Sequence, residues 1–232
     1  MKYTAFIFAR GESKGIKNKN IRKIGGIPLI INAINCAYDS KYINRVIVST
    51  DSGKIAKLSI DNGAEIISRP KNLARDDTPE LLAWQHAIKA HHKNFSTNKS
   101  PFISIPTTSP LRLPCDIDNA INKFNKSNYD LILGVSRSKK SPLFNMVYLT
   151  KNNHLSLINE GKNIFRRQDS PLFFDITTSV YVASVEYLMK CDSILEGKIG
   201  HVIVPQDRAI DIDDYYDLHI ANLLYKNKFS KK

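Results

Sequence analysis

Short apolar runs alternate with amphipathic stretches along most of this chain. Tyr3 to Ala9, Arg45 to Thr50 (RVIVST), Ala64 to Ser68, Pro101 to Ile105, Asp130 to Ser136, Phe173 to Ala183 and His201 to Pro205 are brief and rich in β-branched and aromatic residues. Runs of that length and composition predict buried strands. Between them, apolar residues recur at helical spacing. Pro28 opens one such stripe through Leu29, Ile30, Ala33, Ile34 and Ala37, and Asp51-Ser52 caps another carrying Ile55, Leu58 and Ile60 up to Gly63. Pro79-Glu80 starts a third helix through Leu82, Trp84, Ala87 and Ile88, and Cys115 to Phe124 makes a fourth. Val185 to Met189 is a short helix, and a closing helix turns Leu218, Ala221, Leu224 and Tyr225 inward. Strand, helix, strand in this rhythm predicts an α/β fold, a mainly parallel sheet covered by helices.

The rhythm changes between Arg137 and Pro171. Phe144 to Thr150 reads as a strand, Asn152-Asn153 as a turn and His154 to Asn159 as the returning strand. This predicts a small antiparallel insertion arm at residues 137–171. A dimer contact is the expected use of the arm; a solvated flap is the alternative. With 232 residues and no internal repeat, residues 1–232 are read as a single domain.

The chemistry begins where the first strand breaks into glycine and basic residues. Ala9-Arg10-Gly11-Glu12-Ser13-Lys14-Gly15 continues to Lys17, Lys19 and Asn20. Gly11 and Gly15 would permit positive φ and close backbone approach, so that successive N–H groups converge on phosphate oxygens. Arg10, Lys14, Lys17 and Lys19 supply charge. A phosphate loop and a solvated basic turn both remain open on this stretch alone. Only three residues separate Gly11 from Gly15 and no Gly-Lys-Ser/Thr follows, which excludes a P-loop. Gly-x-Gly-x-x-Gly does not occur, so the dinucleotide fingerprint is absent as well.

The net charge of +12 asks for an anionic partner. Basic residues gather in the 10–23 loop, at Lys139-Lys140, at Arg166-Arg167 and from Lys226 to Lys232, and no aromatic-interleaved RNA signature accompanies them. Three widely spaced cysteines, Cys36, Cys115 and Cys191, match no metal pattern and point to a reduced, cytoplasmic setting. His91 and His92 are adjacent and would point apart on a helix, so they are not read as a metal pair. Neither a signal-peptide pattern nor an apolar run of about 18 residues is present, and no membrane partner is expected.

Near the end, Asp211 and Asp213 alternate along an extended segment, which puts their carboxylates on one side, about 7 Å apart along the chain. Two hard oxygen donors suit Mg²⁺ bridging phosphates. Capping of the last helix is the other reading of this pair, and the one taken for Asp214.

Six stretches then bear on each other. The 9–20 loop, Ser49-Thr50-Asp51, Arg69-Pro70 with Ala74 to Thr78, Thr108-Ser109-Pro110-Leu111-Arg112, Arg166-Arg167-Gln168-Asp169 and Asp211-Ile212-Asp213 together resemble the CMP-sugar synthetases, the acylneuraminate or nonulosonate cytidylyltransferases. The motifs follow the family's order across nearly the whole chain. The resemblance implies a Rossmann-like nucleotidyltransferase fold and a homodimer formed through the arm. The partners it implies are CTP and a nonulosonic sugar acid, with Mg²⁺ as cofactor. The sugar's anomeric hydroxyl attacks the α-phosphorus, pyrophosphate departs and CMP stays on the sugar. Arg10, Gly11, Ser13, Lys14, Lys19 and Asn20 match the loop that embraces the CTP phosphates, and Arg10, Lys14 and Lys19 would act catalytically by neutralising charge. Arg69 and Thr78 match positions near base and ribose, and Ser109 a further nucleotide contact. Thr108, Arg112, Arg166, Gln168 and Asp175 fall on the sugar side, where an Arg would grip the sugar carboxylate. Asp211 and Asp213 match the metal ligands.

Two departures also fall on the sugar side. Pro106-Thr107-Thr108-Ser109-Pro110 stands where many sialic acid members have Gln-Pro-Thr-Ser-Pro, and Asp175-Ile176-Thr177-Thr178 replaces a frequent Arg-Asn-Gly. Asp175 resembles members that handle di-amino nonulosonates such as legionaminic acid. The alternatives are an octulosonate cytidylyltransferase or another nucleotidyltransferase of the same fold, and, outside enzymes, a basic nucleic-acid- or nucleotide-binding module.

Overall fold

The computed structural model describes residues 1–91, 100–159, 166 and 169–229. Eleven strands and six α-helices alternate through them. β1 (Tyr3–Phe8) leads through a loop to β2 (Lys23–Ile24) and β3 (Ile27–Pro28), then α1 (Leu29–Tyr38), β4 (Ile43–Thr50), α2 (Gly53–Ile60) and β5 (Glu65–Ser68). α3 (Glu80–Ala90), β6 (Phe102–Ser104), α4 (Pro114–Asn125) and β7 (Leu131–Arg137) follow. The arm strands β8 (Val147–Leu149) and β9 (Leu155–Leu157) precede β10 (Phe174–Ala183), α5 (Val185–Leu188), β11 (Ile199–Ile203) and α6 (Tyr215–Phe229).

Seven strands form one sheet in the order β11-β7-β10-β6-β1-β4-β5. All its neighbouring pairs are parallel except those of β10, which runs antiparallel to both β6 and β7. The expected mainly parallel α/β sheet is therefore present, with one reversed strand whose direction an apolar run cannot reveal.

Alternation along each strand divides the core into two layers. Ala5 and Ile7 of β1 pack with Ile30, Ala33 and Ile34 of α1 and with Ile117 and Ile121 of α4. Phe6 faces the other way, toward Leu81, Trp84, Ala87 and Ile88 of α3 and Leu188 of α5. The fully buried Trp84 ring lies 5.2 Å from Phe102 and 5.4 Å from Tyr181, centroid to centroid. In α3 the inward residue is Leu81; Leu82, which the sequence placed on the apolar stripe, is exposed. Ile60 of α2 is exposed too, and Ser52 alone caps that helix, its Oγ accepting from Ile55 N at 3.4 Å.

The arm is an antiparallel hairpin, Val147 opposite Leu157 and Leu149 opposite Leu155, with Asn153 at φ 59° in its turn. Its strands are shorter than the sequence suggests. A second hairpin, β2 with β3, turns at Gly25 and Gly26 (φ 55° and 88°). Glycine suits this turn doubly, because a Cβ on Gly25 would sit 2.1 Å from the Tyr225 ring of α6.

A third, smaller core ties both chain ends together. Ile16 and Ile24 pack with Leu29, Leu111, Ile212 and Ala221, with Leu218, Leu224 and Tyr225 beside them, as expected for the inner face of α6. The chain passes so closely here that a Cβ on Gly15 would lie 2.2 Å from the carbonyl oxygen of Asp213. Neither Gly11 nor Gly15 has positive φ, contrary to expectation; the left-handed residue of this loop is Asn18, at 57°. Gly15 is glycine for want of space.

Two stability predictions follow from these contacts. Gly15→Ala must part the loop from the 211–213 segment, at a cost of about 1–3 kcal/mol for overpacking, read as a lower urea midpoint at unchanged m. Asp116, almost fully buried, pairs with Arg208 and also accepts from Leu113 N at 2.9 Å at the start of α4. Asp116→Ala strands the guanidinium and is expected to cost about 3–5 kcal/mol in the same measurement.

Candidate functional site

Because β1, β4, β5 and β6 are parallel, the loops that follow them leave the same edge of the sheet. β1 has β4 on one side and β6 on the other, so the winding reverses beside it and a crevice opens at that edge. A cleft of about 280 Å³ lies there, lined by Arg10, Ser13, Lys19 and Asn20 after β1, by Arg69 and Thr78 after β5, and by Thr107 and Thr108 after β6. Residues brought together by motif order in the sequence thus meet in space.

Side chains and backbone hold the loop after β1 in place. Gly11 N–H donates to Asp51 Oδ1 at 2.8 Å, so this amide faces Asp51, where the sequence suggested a phosphate. Asn20 is buried; its Nδ2 donates to Arg10 O at 2.8 Å and its Oδ1 accepts from Thr107 Oγ1 at 2.5 Å. Lys19 Nζ donates to Ile212 O at 2.8 Å and lies 3.2 Å from Asp213 Oδ1. Lys19 therefore clamps the carboxylate segment against the loop. Arg10 pairs with Asp76, and Lys14 lies 3.5 Å from the same carboxylate.

The floor of the cleft is Arg69 over the Phe8 ring, 5.4 Å from guanidinium carbon to centroid. Its Nη2 donates to Ser49 O at 2.8 Å and its Nε to Ser49 Oγ at 3.2 Å. Burial lowers the Arg69 pKa to about 10, which leaves it charged at neutral pH. Glu80 lines the same cleft. Its side chain meets solvent, yet the surrounding protein desolvates it and raises its carboxyl above the usual range, against the opposing pull of Trp84 and Arg69. Thr78 Oγ1 donates to Asn72 O at 2.9 Å.

The far wall depends on an irregularity in β10. Thr177 pairs with Gly134 and Tyr181 with Leu133, leaving residues 178–180 outside the ladder with β7. Bulges of this kind re-aim side chains. Here Thr178 lines the cleft, with its Oγ1 2.9 Å from Asp211 Oδ1 and 2.8 Å from both Thr108 Oγ1 and Ser109 Oγ. A hydroxyl has one proton and an ionised carboxylate only accepts. Thr178 therefore donates to Asp211, and Thr108 and Ser109 both donate to Thr178. Nothing in the apolar pattern singled out Thr178; the replacement of Arg-Asn-Gly at this stretch was the available signal.

Several sequence-derived site residues lie elsewhere. Arg112 is fully enclosed beneath the turn, donating to Ser179 O and, at 2.7 Å, to Pro106 O. This corrects its placement against a sugar: it clamps the bulge to the Pro106 turn. Burial pushes its pKa down, the neighbouring Cys36 and Asp116 opposing. Ser109 is buried and meets the cleft only through Thr178. Gly11 and Lys14 line an adjoining cavity. Arg166 is exposed and paired with Asp169 at 3.2 Å, and Asp175 is exposed opposite Ser136; neither lines the cleft. Gln168, Arg167, His92 and residues 230–232 of the basic tail lie outside the described residues.

Among the described residues no three His, Cys, Asp or Glu side chains are arranged around a metal position. Asp211 and Asp213 nevertheless flank the buried Ile212, so both emerge on the side away from the core. Mg²⁺ takes one or two carboxylates together with substrate phosphates and water, and two hard oxygen donors fit that demand. The described residues contain no helix long and apolar enough to cross a membrane.

The chain is 33% identical over 223 residues to CMP-N,N'-diacetyllegionaminic acid synthase of Campylobacter jejuni, covering 96% of this chain and 94% of that protein. It is 30% identical over the same length, with the same coverage, to post-translational flagellin modification protein B of Campylobacter coli. Among solved structures it resembles a CMP:2-keto-3-deoxy-manno-octonic acid synthetase complexed with CTP, with a TM-score of 0.74 and 14% identity over 99% of this chain and 100% of that one, a likeness of fold. The family model for cytidylyltransferases matches residues 4–225. With that match spanning the loop after β1, the Thr178 bulge and the Asp211–Asp213 segment, the chain belongs to the cytidylyltransferase family.

Proposed function

We propose that this protein transfers CMP from CTP to the anomeric hydroxyl of a nonulosonic sugar acid and releases pyrophosphate. The observation that carries the reading is the Lys19 clamp: a lysine of the cleft at the sheet's switch point holds the basic loop to the 212–213 segment, while Asp211, which like Asp213 lies outside the cleft lining, is reached through Thr178 of the cleft wall. Few folds need cations and carboxylates to converge in this way; a nucleoside triphosphate with a divalent ion does.

In this reading the nucleoside lies over Phe8 and Arg69, and the phosphates run along the loop toward Arg10, Ser13, Lys14 and Lys19. Phosphoryl transfer asks for positioning and charge neutralisation more than for covalent chemistry from the protein. Lys19 has two of its three N–H groups bonded to the 212–213 segment, which leaves the third for a phosphate oxygen. Asp211, held by Thr178, and Asp213, held by Lys19, would bind Mg²⁺, which when present offsets charge on the triphosphate and its leaving pyrophosphate. Thr108 and the Thr178 hydroxyl face the region left for the sugar. The 33% identical relative bears a legionaminic acid name, which makes a di-amino nonulosonate the first sugar to test.

A homodimer fits the arm, where Val147, Tyr148, Leu149 and Leu155 are exposed on one hairpin. Exposed apolar side chains of that size favour a protein partner over solvent. We place the enzyme in the cytoplasm, with its three cysteines free.

The deciding assay supplies CTP, Mg²⁺ and, separately, neuraminic, legionaminic, pseudaminic and octulosonic acids. Pyrophosphate release is expected with a nonulosonic acid and to vanish without Mg²⁺; release with the octulosonic acid alone would shift the substrate, and release with none would remove the activity. Asp211→Asn is expected to lose turnover with unchanged circular dichroism. Thr178→Val, which removes the hydroxyl aimed at Asp211, should weaken metal affinity roughly 10–100-fold, read by Mn²⁺ titration as well as by rate, and Thr178→Ser should restore it.

A further inference from the structure

Two cavities meet at the loop after β1. The cleft described above and a neighbouring one of about 270 Å³, formed by Gly11, Glu12, Lys14, Lys17 and Asn18, share only Ser13 and Asp76. Asp76 comes from the loop after β5, and its carboxylate reaches across to Arg10 and to Lys14, 3.5 Å away. Its neighbour Asp77 is otherwise engaged, with Arg75 at 3.0 Å. The two leading cations of the loop thus already share one anion from the chain itself, which offsets one of their two charges. That anion stands in the partition between the cavities, where a chain of phosphates would have to pass.

We propose that Asp76 is an internal competitor for phosphate: it holds the anion position between Arg10 and Lys14 in the free protein, gives way to the β- and γ-phosphates of a nucleoside triphosphate, and returns as pyrophosphate leaves. The inference rests on the CTP reading above and adds a specificity-determining residue that the reading does not use. Binding at these cations is an exchange of one anion for another. The affinity for a polyphosphate is therefore lowered by whatever the Asp76 pairs contribute. A nucleoside monophosphate, whose single phosphate stays on the ribose side of the partition, does not displace Asp76 and escapes this penalty. Pyrophosphate bears it in full, which favours product release.

The pairs are partly solvated: the Arg10 and Asp76 side chains are 31% and 30% exposed and Lys14 is 80% exposed. Exposed pairs are weak and screened, so removing both should alter affinity roughly three- to tenfold, and less at high salt.

The test is calorimetric titration of the full-length protein and of Asp76→Asn with CTP, inorganic pyrophosphate and CMP at low and high salt. The variant is expected to bind CTP and pyrophosphate roughly three- to tenfold more tightly at low salt, with CMP unchanged and the gain shrinking as salt rises. A residue that merely shapes the loop would, when changed, weaken all three ligands. Asp76→Ser removes the same charge without an amide and guards against a local misfit of asparagine. Unchanged or weaker pyrophosphate and CTP binding in both variants, beside a wild type that binds both ligands, overturns the competitor role and leaves the proposed activity standing. A wild type that binds neither ligand overturns both.

Discussion

The ammonium of Lys19 makes one site out of two parts of the chain 193 residues apart. The loop that carries it has little regular structure, a three-residue 3₁₀ turn at Lys19–Ile21 and no more. It has to be shaped by tertiary ties. Gly11 is bonded to Asp51, Asn20 bridges Arg10 and Thr107, and Lys19 closes the loop against Ile212 and Asp213. The Ile16, Leu111 and Ile212 core sits directly behind this clamp. The apolar contacts supply most of the attraction, and the lysine fixes the register in which the two strands of chain meet. Groups positioned before the ligand arrives need no rearrangement during reaction, the main requirement for electrostatic catalysis.

Opposite the clamp, geometry comes from a defect. A regular β10 would alternate its side chains between the two helical layers and offer the cleft nothing. The three residues that fall outside the ladder with β7 turn Thr178 toward Asp211, while Arg112 secures the same bulge through the Ser179 carbonyl. An enclosed arginine with an unpaired Nε is a costly way to hold a loop. Its cost is understandable if the position of the bulge matters more than the stability of the core, because Thr108, Ser109 and Asp211 all converge on the one hydroxyl that the bulge presents.

Much of this was legible in the sequence, for identifiable reasons. Strands such as RVIVST and the α1 stripe bury whole faces, and burial writes itself into composition and period. Lys19 and the Asp211–Asp213 pair stand out in the sequence as candidates because residue type limits what each can do, whereas Gly11, read for a phosphate contact, gives its amide to Asp51. Other features depend on partners that no local pattern contains. β10 reads the same in either direction, and its antiparallel setting shows only in its pairing with β6 and β7. The β2–β3 hairpin has strands of two residues, too short to show alternation. Arg112 looks like a ligand-binding cation in a list of residues and proves to be a tie between two carbonyls. Gly15 suggested a special φ, and its actual reason, the Asp213 backbone, lies at the other end of the chain.

The charge of +12 illustrates the difference between composition and placement. A groove that tracks a nucleic-acid backbone presents cations free to replace counterions along a face. In this cleft the cations already have partners: Arg10 and Lys14 share Asp76, Lys19 has Asp213, and Arg69 is engaged by Ser49. At Arg10 and Lys14 such a site recognises an anion by exchanging partners, while Lys19 keeps its carboxylate and Arg69 keeps its uncompensated charge. The exchange is worthwhile only for a ligand that supplies several negative charges at the right spacing in a small volume. A triphosphate meets that condition at the loop after β1, whereas a long backbone with one charge per residue would leave most of these pairs intact. Matched cations therefore argue for a compact polyanion, and they explain how a strongly basic chain can keep a defined loop after β1 in the absence of a ligand.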